Sequence, residues 1–320
     1  MTRQTLTVLW GEAPAKVNLA LAVTGRREDG YHTLGSVFLR LALHDHLEVR
    51  AAADPGAMDE LTIDGEPGLP LHDNLVLRAA ARLRHLTGQP LPALRFRLDK
   101  HIPAAAGLAG GSSDAATALQ LAAQAWALPD DGALRLAAAR RLGADVPFFV
   151  AGHAAARVSG IGEFIEPLPG PTSAAGLLLV TSATRLSTAA VFAEHDRAPA
   201  PGAARQAAMT EAQVEHLATA LRSGLDGAAL AGLAARLRDA NDLWPAATRL
   251  APSLAPAREA LEATLGRAFL LTGSGPTLFA VYPSQEAAAT AAAELEEARP
   301  ALLHGATITA TQSSPTGGPS

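Results

Sequence analysis

Four short segments carry the side chains best placed to do chemistry. The longest is Pro103-Ala104-Ala105-Ala106-Gly107-Leu108-Ala109-Gly110-Gly111-Ser112-Ser113-Asp114. Glycine and alanine let backbone amides approach an anion closely, the serines add hydroxyl donors, and a helix that follows aims its unpaired amides and positive dipole end at the same spot. A lone Gly-Gly-Ser-Ser would read as a capped turn, but the length of this small-residue run favours an anion cradle. Lys16 and Asn18 lie beside two alanines on one face of an alternating segment, and a compact ammonium there could reach a single oxygen. Asp145, in Leu142-Gly143-Ala144-Asp145-Val146-Pro147-Phe148-Phe149, follows a helix end among apolar neighbours, a setting that can orient an acid and shift its protonation. Leu271-Thr272-Gly273-Ser274-Gly275-Pro276-Thr277 is a second glycine turn. Taken singly, Lys16 equally suits a solvent-facing strand, whereas Asp145 more often belongs to a turn and the last segment to a plain hairpin.

Composition removes several chemistries. Lysine occurs only at Lys16 and Lys100, and neither precedes Ser or Thr, so the Gly-Lys-Ser/Thr of a Walker A loop is excluded. The Gly-x-Gly-x-x-Gly dinucleotide fingerprint is absent as well. A net charge of -5 and 4% aromatic residues give neither a basic field nor a stacking platform for nucleic acid. There is no cysteine, hence no disulfide, and no apolar run approaches the roughly 18 to 20 residues that span a bilayer. The first residues show no secretory pattern, so the expectation is a cytoplasmic protein working on small molecules, with no nucleic-acid or membrane partner and an open oligomeric state.

The 320 residues suffice for about two domains. Val17, Leu19, Leu21 and Val23 alternate with Lys16, Asn18, Ala20 and Ala22, which is strand periodicity with one aliphatic and one polar, uncrowded face. Val37 to Arg50 reads as further strand. Asp73 or Asn74 can cap a helix whose Val76, Ala79, Ala80 and Leu83 share a face. A strand over Ala93 to Leu98 leads into the cradle, and a helix begins at its serines, with Leu119, Ala122, Ala123 and Trp126 at helical spacing. A second helix runs from Ala133 to Leu142. After Pro167-Leu168-Pro169-Gly170-Pro171 come a buried strand at Leu177 to Val180, alanine-rich helices, and strand, turn and strand from Phe269 to Tyr282. This places an N-terminal domain at 1–168, a C-terminal domain at 169–312 and a disordered tail at 313–320. His44-Asp45-His46 lacks the partners of a metal site, and Asp239-Ala240-Asn241-Asp242 fits no cation loop.

Together these segments resemble the GHMP kinase superfamily. Three ordered motifs carry the resemblance over nearly the whole chain: Pro14-Ala15-Lys16-Val17-Asn18-Leu19, the cradle from Pro103 to Ser113, and Leu271-Thr272-Gly273-Ser274-Gly275. Thr24-Gly25-Arg26-Arg27-Glu28-Asp29-Gly30-Tyr31-His32-Thr33-Leu34, Gly143 to Phe149 and Asn241-Asp242-Leu243 are similar to the branch that phosphorylates 4-diphosphocytidyl-2-C-methyl-D-erythritol in the non-mevalonate route to isoprenoid precursors. The resemblance implies two α+β domains with the active site in the cleft between them, ATP as co-substrate and Mg2+. It implies Asp145 as acceptor of the hydroxyl proton and Lys16 as the cation that holds and polarises both partners. Asn18 would bond the sugar alcohol, Tyr31 and Phe192 would flank cytosine, and His32 would read its polar edge near Thr188, with Gly273 and Ser274 also at the substrate. Asn74 and Lys100 would lie toward adenine, and Pro103, Ala104, Ala105, Ala106, Gly107, Leu108, Ala109, Gly110, Gly111, Ser112 and Ser113 would grip the triphosphate.

Two departures mark the chain. Ala105, Ala106 and Ala109 stand where relatives often carry glycine, leaving less freedom for positive φ, and Ala189 and Ala190 loosen the register to Phe192. No acidic magnesium ligand is evident, so metal contact would run through ATP with a serine or water. Alternatives are another GHMP kinase, for homoserine or mevalonate, and a non-catalytic nucleotide sensor.

Overall fold

The computed structural model describes residues 7–314 except 53, 55, 56, 67, 199 and 201. Two compact units emerge. The first comprises the chain up to Ala15, Leu43–Ala104 and Ala109–Gly152; the second comprises Lys16–Ala42, Ala105–Leu108 and the chain from His153 onward. Strands β1 (Leu9–Arg26) and β2 (His32–Ala51) contribute residues to both.

In the first unit β3 (Glu60–Asp64) runs parallel to β4 (Leu94–Asp99), which pairs antiparallel with the second half of β2. Leu94, Phe96 and Leu98 of β4 are buried while Arg95 and Arg97 are exposed, as a half-covered strand requires. Helices α1 (Leu75–Thr87), α2 (Gly110–Ala125), α3 (Gly132–Ala139) and α4 (Val146–Ala151) complete the unit. Asn74 Oδ1 accepts from the Val76 amide at 3.0 Å to start α1, and Gly88 in the left-handed region ends it. The buried side chains of α1 are the expected Val76, Ala79, Ala80 and Leu83. They share a core with Leu119 and Ala122 of α2 and with Leu47, Val49, Phe96 and Leu98 of the strands. Each fully buried leucine there contributes about 1.5–3 kcal/mol.

Two helix limits differ from the sequence reading. Helix α2 starts at Gly110, ahead of the serines, because Ala109 turns into the left-handed region (φ 57°) and Ser113 N already donates back to Ala109 O. Helix α3 stops at Ala139, since Arg141 and Leu142 donate to carbonyls three residues back and tighten the chain into turns.

In the second unit the first half of β2 pairs antiparallel with β5 (Ala155–Gly160), and β5 with β6 (Phe164–Leu168). A four-stranded antiparallel sheet has the order β10 (Thr307–Gln312), β7 (Gly176–Thr181), β9 (Thr277–Tyr282), β8 (Leu270–Leu271). Strands β7 and β9 are buried along their whole length, which is why they read as continuous apolar runs. Helices α5 (Thr188–Arg197), α6 (Ala203–Arg222), α7 (Gly227–Leu233), α8 (Trp244–Leu250), α9 (Leu254–Leu265) and α10 (Gln285–Ala298) belong to the same unit. Val191, Leu243, Leu254, Leu261 and Leu295 pack with Leu178, Val180 and Phe269 in its core.

The expected open face of β1 is not found: residues 15–22 are buried on both sides. Ser313 and Ser314, assigned from sequence to a disordered tail, are held in place. Ser313 N donates to Ala175 O at 2.9 Å, Ser313 Oγ accepts from Ala175 N, and Ser314 N donates to Arg40 O. Residues 315–320 lie outside the described residues.

Candidate active site

Within the second unit, β1 carries Lys16 and Asn18 into a buried polar network. Lys16 is 4% exposed and Asn18 3%, so the solvent-facing alternative for Lys16 falls. Lys16 Nζ donates to Asn18 Oδ1 at 2.7 Å and lies 4.5 Å from the Phe38 ring centroid. Asn18 Nδ2 donates to Ser36 Oγ at 2.9 Å, and Ser36 Oγ donates to Ala20 O. Such bonds fix the amide orientation and thereby the ammonium.

The same network reaches two backbone segments. Lys16 N donates to Leu108 O (3.1 Å), Asn18 N donates to Thr272 Oγ1 (3.1 Å), and Thr272 Oγ1 donates to Gly107 O (3.1 Å). Gly107 has φ +76°, and a Cβ there would stand 2.5 Å from Thr272 O. Only glycine permits that approach. The turn itself has Gly273 at φ +56° and Gly275 at φ +82°, with Gly275 N donating to Thr272 O. Asn241 holds it: Nδ2 donates to Leu271 O and to Gly273 O, both at 2.9 Å, and Oδ1 accepts from Leu243 N. Asn241-Asp242 is thus a clasp on the turn, with Asp242 accepting from Val23 N and Thr210 Oγ1. Ser274 Oγ meets Thr188 Oγ1 at 3.0 Å.

The cradle divides between the units, with Pro103, Ala104 and Ala109 to Ser113 in the first and Ala105, Ala106, Gly107 and Leu108 in the second. Ala105 and Ala109 adopt φ 54° and 57°, so the alanines accept the conformation that their Cβ disfavours. No side chain caps α2, whose first-turn amides at Gly110 and Gly111 precede the first helical bond. Ser113 Oγ and Asp114 Oδ1 are buried there with no hydrogen-bond partner.

Lys100, expected toward the adenine, lies within the first unit among carboxyl groups. It is 8% exposed, and its ammonium pairs with Asp114 Oδ2 at 2.9 Å and with Asp45, at the start of α2. A Cβ on Gly110 would lie 3.0 Å from Ile102 Cγ2 and 3.2 Å from Lys100 Nζ, so glycine leaves room for both side chains. Asp45 Oδ1 also accepts from His101 N (2.6 Å) and Ile102 N (2.7 Å). Burial pulls the Lys100 ammonium down, but Asp114 and Asp45 outweigh it and leave its pKa above the ordinary value. Burial pushes the Asp114 carboxyl up to about 8, Lys100 opposing and Asp45 adding. Asn74 caps α1, which occupies its side-chain oxygen. Asp145 is half-buried at the entry to α4, ahead of the buried Val146, Pro147 and Phe148.

Among the aromatic residues, His32 stacks on Phe192 with centroids 4.7 Å apart, while Tyr31 stands 62% exposed. His32 Nε2 is 2.7 Å from Asp196 Oδ1, and Arg26 Nη1 is 3.2 Å from Asp196 Oδ2. Asp196 was not singled out from sequence, although Thr188, Phe192 and Asp196 recur every four residues. Asp45, weighed from sequence only within His44-Asp45-His46, shares strand parity with buried Leu47 and Val49, opposite His44 and His46. That parity explains why the three residues cannot converge on one metal.

A family profile described as GHMP kinases N terminal domain matches residues 74–153, and one described as GHMP kinases C terminal matches 217–301. The 4-diphosphocytidyl-2-C-methyl-D-erythritol kinase of Rhodopseudomonas palustris is 39% identical over 309 residues, covering 94% of this chain and 97% of the relative. The chain belongs to that kinase family. The protein of the same name from Cereibacter sphaeroides (strain ATCC 17029) is 39% identical over 289 residues, covering 88% and 91%. A crystal structure of 4-(cytidine 5'-diphospho)-2C-methyl-D-erythritol kinase superposes with a TM-score of 0.68 at 32% identity, covering 96% of this chain and 100% of that one. A homoserine kinase from Cytophaga hutchinsonii gives 0.73 at 19% identity over 100% and 99%, which shows the shared fold alone. In this GHMP kinase the first turn of α2 and Asp145 lie inside the N-terminal match, whereas Lys16, Asn18, Tyr31, His32, Thr188 and Phe192 fall outside both matches. Among the described residues no helix is long and apolar enough to cross a membrane.

Proposed function

We propose that this kinase transfers the γ-phosphoryl group of ATP to a hydroxyl of 4-diphosphocytidyl-2-C-methyl-D-erythritol, a step in the non-mevalonate supply of isoprenoid precursors. The observation that carries the reading is 39% identity over 94% of the chain to a kinase of that substrate. The residues fit a polyphosphate: the first turn of α2 is uncapped, and the buried Ser113 hydroxyl has no protein partner. Phosphoryl transfer asks a protein mainly for positioning and charge stabilisation, so a cradle, an ammonium and a carboxylate suffice.

In this reading Asp145 accepts the proton of the attacking hydroxyl, and Lys16, aimed by Asn18, steadies the transferring phosphoryl. Gly273, Ser274 and Thr188 border the substrate, and Tyr31, His32 and Phe192 receive its pyrimidine. Magnesium, when bound, neutralises phosphate charge. Ser112 or Ser113 is its candidate protein ligand, the remaining positions falling to the phosphates of ATP and to water. A domain boundary near residue 168 is part of the proposal, and the two family matches fall on either side of it.

A coupled assay for ADP release with ATP, Mg2+ and each of three alcohols tests the reading. Turnover with the cytidylated methylerythritol and not with homoserine or mevalonate is expected. Turnover with either of the others overturns the substrate, and nucleotide binding without transfer to any acceptor favours a sensor.

A further inference from the structure

His32 has one of its ring nitrogens and one of its faces committed within the second unit. Its Nε2 lies 2.7 Å from Asp196 Oδ1, one face stacks on Phe192 with the planes 23° apart, and His195 meets it edge-on at 6.3 Å. The second carboxylate oxygen of Asp196 takes Arg26 Nη1 at 3.2 Å. Because Phe192 and Asp196 are four residues apart on α5, one helix face supplies both the stacking ring and the carboxylate.

We infer that Asp196 sets the base specificity of this kinase by locking His32 in the tautomer protonated at Nε2. The inference rests on the proposed placement of the pyrimidine edge at His32. An ionised carboxylate can only accept, so Nε2 carries the hydrogen, and in that tautomer Nδ1 is a bare acceptor. Partial burial works against the Asp196 charge, but His32 and Arg26 outweigh it and hold the carboxyl below its usual range. Nδ1 is then the ring's remaining polar atom. Cytosine offers an exocyclic amine that donates to such an acceptor, whereas uracil offers a carbonyl oxygen that repels it. A site built to pair with a donor rejects an isostere without one. Asp196 does not touch the base; it acts as a positioning residue.

Histidine 15N spectra of the free enzyme at pH 8, assigned with His32→Gln, read the tautomer without any substrate. Calorimetry with cytidine diphosphate and uridine diphosphate, the ATP site being filled with ADP, reads the discrimination. Wild type is expected in the Nε2-protonated form with at least about tenfold preference for the cytidine ligand. Asp196→Ala is expected to mix the tautomers and bring the preference to about twofold, and Asp196→Asn, which keeps an acceptor oxygen, to restore most of it. A wild-type ring protonated at Nδ1 overturns the inference. So does an Asp196→Ala variant that binds both ligands more weakly at an unchanged ratio, which is what a merely structural role gives. If the cytidine preference is present and lost in Asp196→Ala while no cytidylated alcohol is phosphorylated, the inference stands and the proposed reaction falls.

Discussion

The Lys100 ammonium and Asp114 Oδ2 lie 2.9 Å apart in the first unit, at the opening of α2. Asp45, fully buried on β2, pairs with the same ammonium and also takes the His101 and Ile102 amides. One cation thus serves two carboxyl groups, and the three groups tie β2, the end of β4 and the start of the cradle helix together. Losing Asp45 would leave the buried ammonium with Asp114 alone and take the acceptor away from the His101 and Ile102 amides. Asp45→Ala is expected to cost on the order of 3–5 kcal/mol in urea unfolding.

Asp114 gives the triad a pH signature. Its folded pKa of about 8 exceeds the ordinary 3.8, so between those values the folded chain binds more protons than the unfolded one. By linkage this group's contribution to stability falls as pH rises from about 4 to 8. Asp114→Asn removes the titration and keeps the shape, and its urea midpoint should vary less than wild type between pH 5 and 8. An unchanged slope would place the titration elsewhere.

The cradle alanines and Gly107 should respond in opposite directions. Ala105 and Ala109 hold φ 54° and 57°, a conformation that costs an L-residue about 1–2 kcal/mol, of which the greater chain entropy of glycine takes back about 0.4–1. Ala105→Gly and Ala109→Gly are expected to be neutral or to stabilise by up to about 1.6 kcal/mol. Gly107→Ala drives a Cβ to 2.5 Å from the Thr272 carbonyl and should destabilise by about 2 kcal/mol or more, with a raised KM for ATP.

Lys16 and Asp145 are tested by single-turnover rates. Lys16→Met keeps the stem near Phe38 and removes the charge; Asp145→Asn keeps the shape and removes the base. Both should fold and lose roughly 10²- to 10⁴-fold in the phosphoryl-transfer step. Near-normal chemistry in either variant removes that residue from its role.

Asn241 grips the glycine turn by donating to two carbonyls. Asn241→Ala should cost about 1–3 kcal/mol, since the carbonyls of Leu271 and Gly273 stay buried without a donor. Asn241→Asp turns an acceptor toward those carbonyls and is expected to be at least as damaging at neutral pH, as thermal unfolding would report.

Much of this molecule is written in local pattern. The alternation of β1, the face of α1 with its Asn74 cap, the apolar runs of β7 and β9, and the small-residue cradle all follow from periodicity and side-chain size, which act over a few residues. The family motifs at Lys16, the cradle and Gly273 were legible for the same reason. What periodicity could not reveal is which distant polar groups meet. Asp45 and Lys100 are 55 positions apart, Asn18 and Thr272 are 254, and His32 and Asp196 are 164. Such partners carry no local signature, because a buried charge or amide is satisfied by whatever the folded chain brings beside it. Folding therefore decided that Lys100 is a brace, that Lys16 lies inside rather than on a surface, and that His32 answers to a carboxylate on another element.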